Sequence, residues 1–220
     1  MGREAKTGLL NRSFAASQLT GPDSWCASHG ATPGADELGA GMLYYALAYS
    51  LRARVCVCLG SGGGFVPRMM RQAQRDLALE PSRTILVDGA DTVPKEKRDI
   101  WGSPSWIPED SWFRKQFPDV EIVVSLMKTA HENFFVPNGI EIDYLHIDGD
   151  HHYEGVRLDF DLFAPLVRDV GVITLHDSVN YREPCGVPQL VEELRQEGRY
   201  TVVQFPVAYG TAVVQRNPQQ

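Results

Sequence analysis

The stretch IDYLHIDGDHHYEGVRLDFDLFAPLVRDVGVITLHD, residues 142 to 177, decides the fold. It opens on an apolar run, IDYLHID (142–148), and closes on another, VGVITLHD (170–177). Between them, residues 153 to 167 place Val156, Phe160 and Phe163 at helical spacing, so this segment reads as a helix with one core-facing side. A strand, a helix and a second strand in this order form a crossover unit, and a crossover of this length joins parallel strands.

Working outward, the same rhythm recurs. VCVCL (55–59) is a short apolar strand, followed by GSGGG and a helix starting near Phe65. TILVD (84–88) and VEIVVSL (120–126) are further strands. DELGAGMLYYALAYSLRA (36–53) reads as a helix, and PQLVEELRQEG (188–198) as a helix stopped by glycine. YTVVQFPV (200–207) and YGTAVVQR (209–216) are two strands whose connection is too short for a crossover, so they pair antiparallel. The expected fold class is α/β: a doubly wound, mostly parallel, seven-stranded sheet with a C-terminal antiparallel hairpin. Residues 1 to 35 lack a sustained period and read as an irregular N-terminal arm, with 36 to 220 as a single domain. Residues 90 to 118, holding Trp101, Trp106 and Trp112, read as a long loop with short helices over the sheet's active edge.

Composition bounds the function. The chain has 220 residues, 43% hydrophobic and 22% charged, enough for a real core. A net charge of −7 argues against a nucleic-acid partner, because phosphate binding needs a basic face. No apolar run approaches the ~20 residues of a membrane span, and the N-terminus lacks the apolar region of a signal peptide. Cys26, Cys56, Cys58 and Cys185 do not have the spacing of a zinc knuckle or a redox pair. Free thiols fit a reducing compartment, so the expected location is the cytoplasm.

Three features carry chemistry. First, CLGSGGGF (58–65) is a glycine-rich turn between a strand and a helix, where Gly60, Ser61, Gly62 and Gly64 let backbone approach a ligand closely. Second, Asp88 ends the next strand, where an acid can accept both hydroxyls of a ribose, and Ser125 ends the third strand as a further pocket candidate. Third, HIDGDHHYEG (146–155) crowds three acids and three histidines into ten positions. Asp148 and Asp177 end two strands expected to be neighbours, and two carboxylates brought together repel unless a proton or a cation separates them.

This ordering resembles the class I S-adenosylmethionine-dependent methyltransferases. Within them, residues 146 to 177 look like the metal-dependent O-methyltransferases of natural-product pathways, including sugar O-methyltransferases. The resemblance spans roughly residues 40 to 216 and is most specific in the pairing of IDGDHHYE with LHDS. It implies S-adenosylmethionine as donor, a divalent metal, usually Mg2+, and a small-molecule hydroxyl acceptor. It implies Asp148 and Asp177 as metal ligands and His151 as general base, with Asp150 as a rival base and His152 a weaker one. The sequence departs from the family twice. His176 stands where a second acid is usual, and imidazole suits Mn2+, Fe2+ or Zn2+ better than Mg2+. Cys58 stands where an acid commonly holds the donor's amino group. Two alternatives stay open: a nicotinamide-dependent oxidoreductase, which predicts a GxGxxG that is absent here, and a non-catalytic binding relative of the fold. The arm and helix 36–53 are candidates for building a homo-oligomer.

Overall fold

The computed structural model describes residues 24–32, 37–89, 109–179 and 185–218. Strand β1 (Val55–Leu59) runs through the centre because its residues are apolar on both faces. It pairs in parallel with β2 (Arg83–Asp88) on one side and β4 (Ile142–Ile147) on the other. β3 (Val120–Val124) pairs in parallel with β2, and β5 (Val167–His176) with β4. β6 (Tyr200–Phe205) and β7 (Thr211–Arg216) form the antiparallel hairpin. The hairpin folds back so that β7 lies against β5, giving the order β3-β2-β1-β4-β5-β7-β6.

Helices cover both faces. Helices α1 (Gly41–Ser50), α2 (Phe65–Asp76) and the short α3 (Trp112–Gln116) lie on one side, where Tyr44, Phe65, Met69 and Phe113 pack against Cys56, Cys58, Leu86 and Tyr144. On the other side lie α4 (Met127–Ala130), continued as one π turn over His131–Phe135, then α5 (Tyr153–Phe163) and α6 (Val187–Gln196). There Phe135, Phe160, Phe163 and Leu190 pack against Val57, Leu59, Leu145 and Ile147. The alternation of Cys56 and Cys58 with Val57 and Leu59 is thus split between two cores, and Cys56 and Cys58 are buried free thiols.

Several boundaries differ from the sequence reading. The helix expected over 153–167 stops at Phe163, because Pro165 lacks the N–H a continuing helix needs; Ala164–Leu166 forms a 3-10 turn and β5 begins at Val167. The helix expected from residue 36 starts at Gly41, after a turn closed by the Gly41 N–H on the Leu38 carbonyl. β3 ends at Val124, so Ser125 lies just past it. Within the stretch read as an irregular arm, Ser24–His29 forms a 3-10 helix. Most of the expected loop at 90–118, with Trp101 and Trp106, lies outside the described residues.

Asp159 on α5 offers a test of the packing. Burial, aided by the charge of Asp150, pushes its carboxyl up to about 7. The folded chain therefore keeps a proton that the unfolded chain loses near pH ~4, and stability falls as pH rises from there to about 7, by up to ~1.4 kcal/mol per pH unit. Asp159→Asn is expected to flatten the thermal-melting profile across that window and to raise the melting temperature at pH 7.5. An unchanged slope would show that Asp159 is ionised in the fold.

Candidate active site

Val87, Leu59, Ile147 and Leu175 sit side by side across β2, β1, β4 and β5. The next residues along these four strands are Asp88, Gly60, Asp148 and His176. Parallel pairing therefore sets four residues of the candidate site in one row on the carboxyl edge, where ligands of open α/β sheets bind. The ladder continues one step into this row, with Gly60 N–H on Val87 O and Asp148 N–H on Leu59 O, both 2.8 Å.

On the glycine side, Gly60 has φ +78, and a Cβ there would lie 2.2 Å from the Asp148 carbonyl oxygen. A side chain at Gly64 would run into the Phe113 ring. Asp88 is buried, and its Oδ2 accepts the Ser61 backbone N–H at 3.1 Å, so the structure brings the glycine turn and Asp88 together. Gly62 lies in the same turn. Ser125 is less engaged: its hydroxyl donates to the Leu126 carbonyl, while its N–H bonds the Asp88 carbonyl. Cys58 is fully buried, its thiol donates to the Gly60 carbonyl at 3.1 Å, and burial pushes its pKa well above the usual thiol range. It carries no charge into the pocket.

The polar cluster lies beside this turn. Asp148 and Asp177 share partners. His176 Nδ1 is 3.1 Å from Asp148 Oδ1 and 3.4 Å from Asp177 Oδ1. His151 Nε2 is 3.5 Å from Asp148 Oδ1 and 3.2 Å from Asp177 Oδ2. Asp177 has φ +56, a left-handed backbone uncommon outside glycine and tolerated by Asp. His151 is about half exposed, at 46% of its side chain, whereas His176 is buried at 3%. Asp150 is turned away from the cluster: its Oδ1 accepts the His152 N–H and faces His152 Nδ1 at the start of α5.

Electrostatics follow from this packing. Burial opposes the charge of Asp148, but the His176 charge and the close approach of the His146, His151 and His176 imidazoles outweigh it and hold the carboxyl well below its usual range. Burial likewise opposes a proton on His176, and the two carboxylates overcome it, raising the imidazole to about 10. The hydrogen bond to Asp148 lifts His151 to about 8 against partial burial.

Two histidines of the cluster were missed from the sequence. His29, in the arm, is buried with its Nε2 3.7 Å from Asp148 Oδ2. His146 is buried with its Nε2 3.8 Å from the same oxygen. His146 was legible, because it lies two residues before Asp148 and a strand puts such residues on one side. Nothing in the arm's pattern marks His29.

The sheet order and the site on its carboxyl edge define a class I S-adenosylmethionine-dependent methyltransferase. The family described as "Methyltransferase domain" matches residues 57–178, more than half of the chain, and the chain belongs to it. Solved structures share the fold at low identity. An O-methyltransferase from Bacillus cereus in complex with SAH has a TM-score of 0.63 at 15% identity, covering 94% of this chain and 96% of that one. The O-methyltransferase TomG from Streptomyces achromogenes, involved in tomaymycin synthesis and in complex with SAM, has 0.59 at 16%, covering 94% and 95%. The SAH-bound methyltransferase PaMTH1 of Podospora anserina has 0.59 at 15%, covering 93% of each chain. A curated protein of Acanthamoeba polyphaga mimivirus, uncharacterized protein R132, is 40% identical over 76 residues, and the match spans 33% of each chain, a third of that relative's length. Among the described residues no helix is long and apolar enough to cross a membrane.

Gly60→Ala is expected to lower stability by about 2–4 kcal/mol, since the methyl meets backbone. Gly139→Ala, at φ +56 with nothing within 4 Å of the added Cβ, should lose only the ~1 kcal/mol of the left-handed backbone. Chemical denaturation of the two variants measures the difference; equal losses would mean that β1 and β4 separate easily at Gly60.

Proposed function

We propose that the chain is an O-methyltransferase that moves a methyl group from S-adenosylmethionine to a hydroxyl of a small metabolite, with help from a divalent cation. The observation that carries this reading is one row on one sheet edge: the Asp88-tied glycine turn beside Asp148, His151, His176 and Asp177. Gly60, Ser61, Gly62, Gly64 and Asp88 form the donor cradle, with Asp88 positioned for ribose hydroxyls and Ser125 at its margin. The cradle fits an uncharged contact better than a phosphate, since no lysine follows the glycines. Residues 36 to 220 act as the catalytic unit, working in the cytoplasm with its cysteines reduced.

The donor set fits a cation as well. Asp148, His151 and Asp177 have ligand atoms mutually within 4.8 Å, and His29, Asp148 and His176 form a second such group that shares Asp148. Asp148 and Asp177 would hold the ion, for which Mg2+ and Mn2+ are the first probes. A bound cation supplies one thing, an easier loss of the acceptor's hydroxyl proton. The protein's own residues do the rest. His151, the half-exposed member, would take that proton on Nδ1, while Asp148 and Asp177 accept from its Nε2–H and orient the ring. The acceptor oxygen forms its bond to the methyl carbon as the bond from sulfur breaks, and the thioether leaves neutral. Asp150, facing α5, is a weaker candidate for the base.

Calorimetry with S-adenosylmethionine tests the reading. We expect micromolar binding to the wild type and a loss of about tenfold or more in Asp88→Ala. A chelator-treated sample should show a Mg2+ or Mn2+ signal that Asp148→Ala and Asp177→Ala lose. In a screen of catechols and sugars, His151→Gln should lower kcat by about 10²–10⁴-fold while leaving donor binding intact. No donor binding would overturn the proposal and favour a non-catalytic binding relative, the reading that the neutral Cys58 thiol supports.

A further inference from the structure

His176 is held from both ends. Its Nε2 is 3.2 Å from the Ser28 carbonyl, which can only accept, so Nε2 carries a hydrogen. The other nitrogen, Nδ1, then points at carboxylate oxygens of Asp148 and Asp177. A lone pair facing two carboxylates is repulsive, so either a proton on Nδ1 or a metal ion stands among them. Two more ring nitrogens converge on the same place. His29 Nε2 and His146 Nε2 face Asp148 Oδ2, and His146 Nε2 is buried with no hydrogen-bond partner. A single proton on His176 leaves that atom unsatisfied.

The opposite nitrogens of these rings are tied down. His29 Nδ1 meets the Tyr44 hydroxyl at 3.0 Å, which in turn meets Thr211 Oγ1 at 2.9 Å. His146 Nδ1 meets Thr174 Oγ1 at 2.8 Å. Such outer bonds fix the orientation of ligating imidazoles. The backbone holds His29 too, since its carbonyl accepts the Ala40 N–H at 2.8 Å. His29, Asp148 and His176 also have ligand atoms mutually within 4.8 Å.

We propose that the cation of this site is a nitrogen-preferring transition-metal ion such as Zn2+, Co2+ or Fe2+, with His176 Nδ1 and His29 Nε2 joining Asp148 as ligands, Asp177 beside them at 3.4 Å from His176 Nδ1, and His29 delivered by the arm. The inference rests on the cation in the function proposed above and names its class. Two imidazoles and a carboxylate suit these ions, whereas Mg2+ asks for oxygen ligands and retained waters.

The test uses the full chain after chelator treatment, with binding read by calorimetry. Zn2+ and Co2+ are expected to bind at one equivalent at least 100-fold tighter than Mg2+, and Co2+ to give a visible absorption band from nitrogen ligation. His29→Gln should weaken Zn2+ at least tenfold and leave Mg2+ unchanged, whereas His152→Gln, on the exposed side, should keep full Zn2+ affinity. Equal affinities for Zn2+ and Mg2+, or unchanged Zn2+ binding in a folded His29→Gln, overturn the inference. The Zn2+ and Mg2+ comparison is made on the unaltered chain and decides even if a variant fails to fold. Binding of S-adenosylmethionine with no divalent ion bound at all would overturn this inference and leave methyl transfer standing. Tight Zn2+ with no donor binding would support the metal site and overturn the methyltransferase reading.

Discussion

The ends of β1 and β4 approach so closely that no side chain fits between them. Gly60 supplies that gap, and the Asp148 carbonyl occupies the place where its Cβ would be. Because the two strands also share a ladder that runs one residue beyond β4, Asp148 is fixed relative to the glycine turn by backbone rather than by side-chain packing. Backbone positioning is stiff. It sets the glycine turn on one side of Asp148 and the histidine cluster on the other, which is what a two-substrate transfer needs.

Around Asp148 the problem is charge. A largely buried carboxylate is costly, and a second, the buried Asp177, stands near Asp148. Among the described residues, imidazoles stand against these carboxylates. Alternate rungs between β4 and β5 pair His146 with Thr174 and Asp148 with His176, so one pleat face carries these four residues. Thr174 also meets the Tyr144 hydroxyl, tying the network to the core beneath it. Imidazole can balance these carboxylates as a cation or, once it gives up that proton, offer a lone pair to a metal. The left-handed backbone at Asp177 is a local strain that persists where surrounding contacts hold it, a common trait of functional sites.

The donor side is built on different chemistry. Cys58 faces the same core as Tyr144 and Phe65 and is neutral, so a positively charged donor group finds no carboxylate from β1 itself. Asp88 and Asp148, one position beyond the paired row on either side of β1, are the nearest acids the sheet places there. The same register that made Cys58 a core residue thus put the acids on flanking strands.

The strands, their parallel order and the closing hairpin were legible in the sequence, because apolar runs and connection length are local properties. So were Gly60, Asp88, Asp148, His151 and Asp177 as site candidates, since each ends or closely follows a strand whose direction is set by the crossover rule. His146 could be read from its spacing to Asp148. Helix ends were less legible: Pro165 stopped α5 early, a tertiary and local effect together. What the sequence alone determined is which residues reach the carboxyl edge of the sheet. Only the tertiary structure decided that His29, about 120 positions away in the chain from Asp148, completes the cluster. It also decided that Asp150 turns to α5 instead. The physical reason is that register along a strand is a short-range property with period two, whereas the docking of an aperiodic arm depends on contacts that exist only once the sheet has formed.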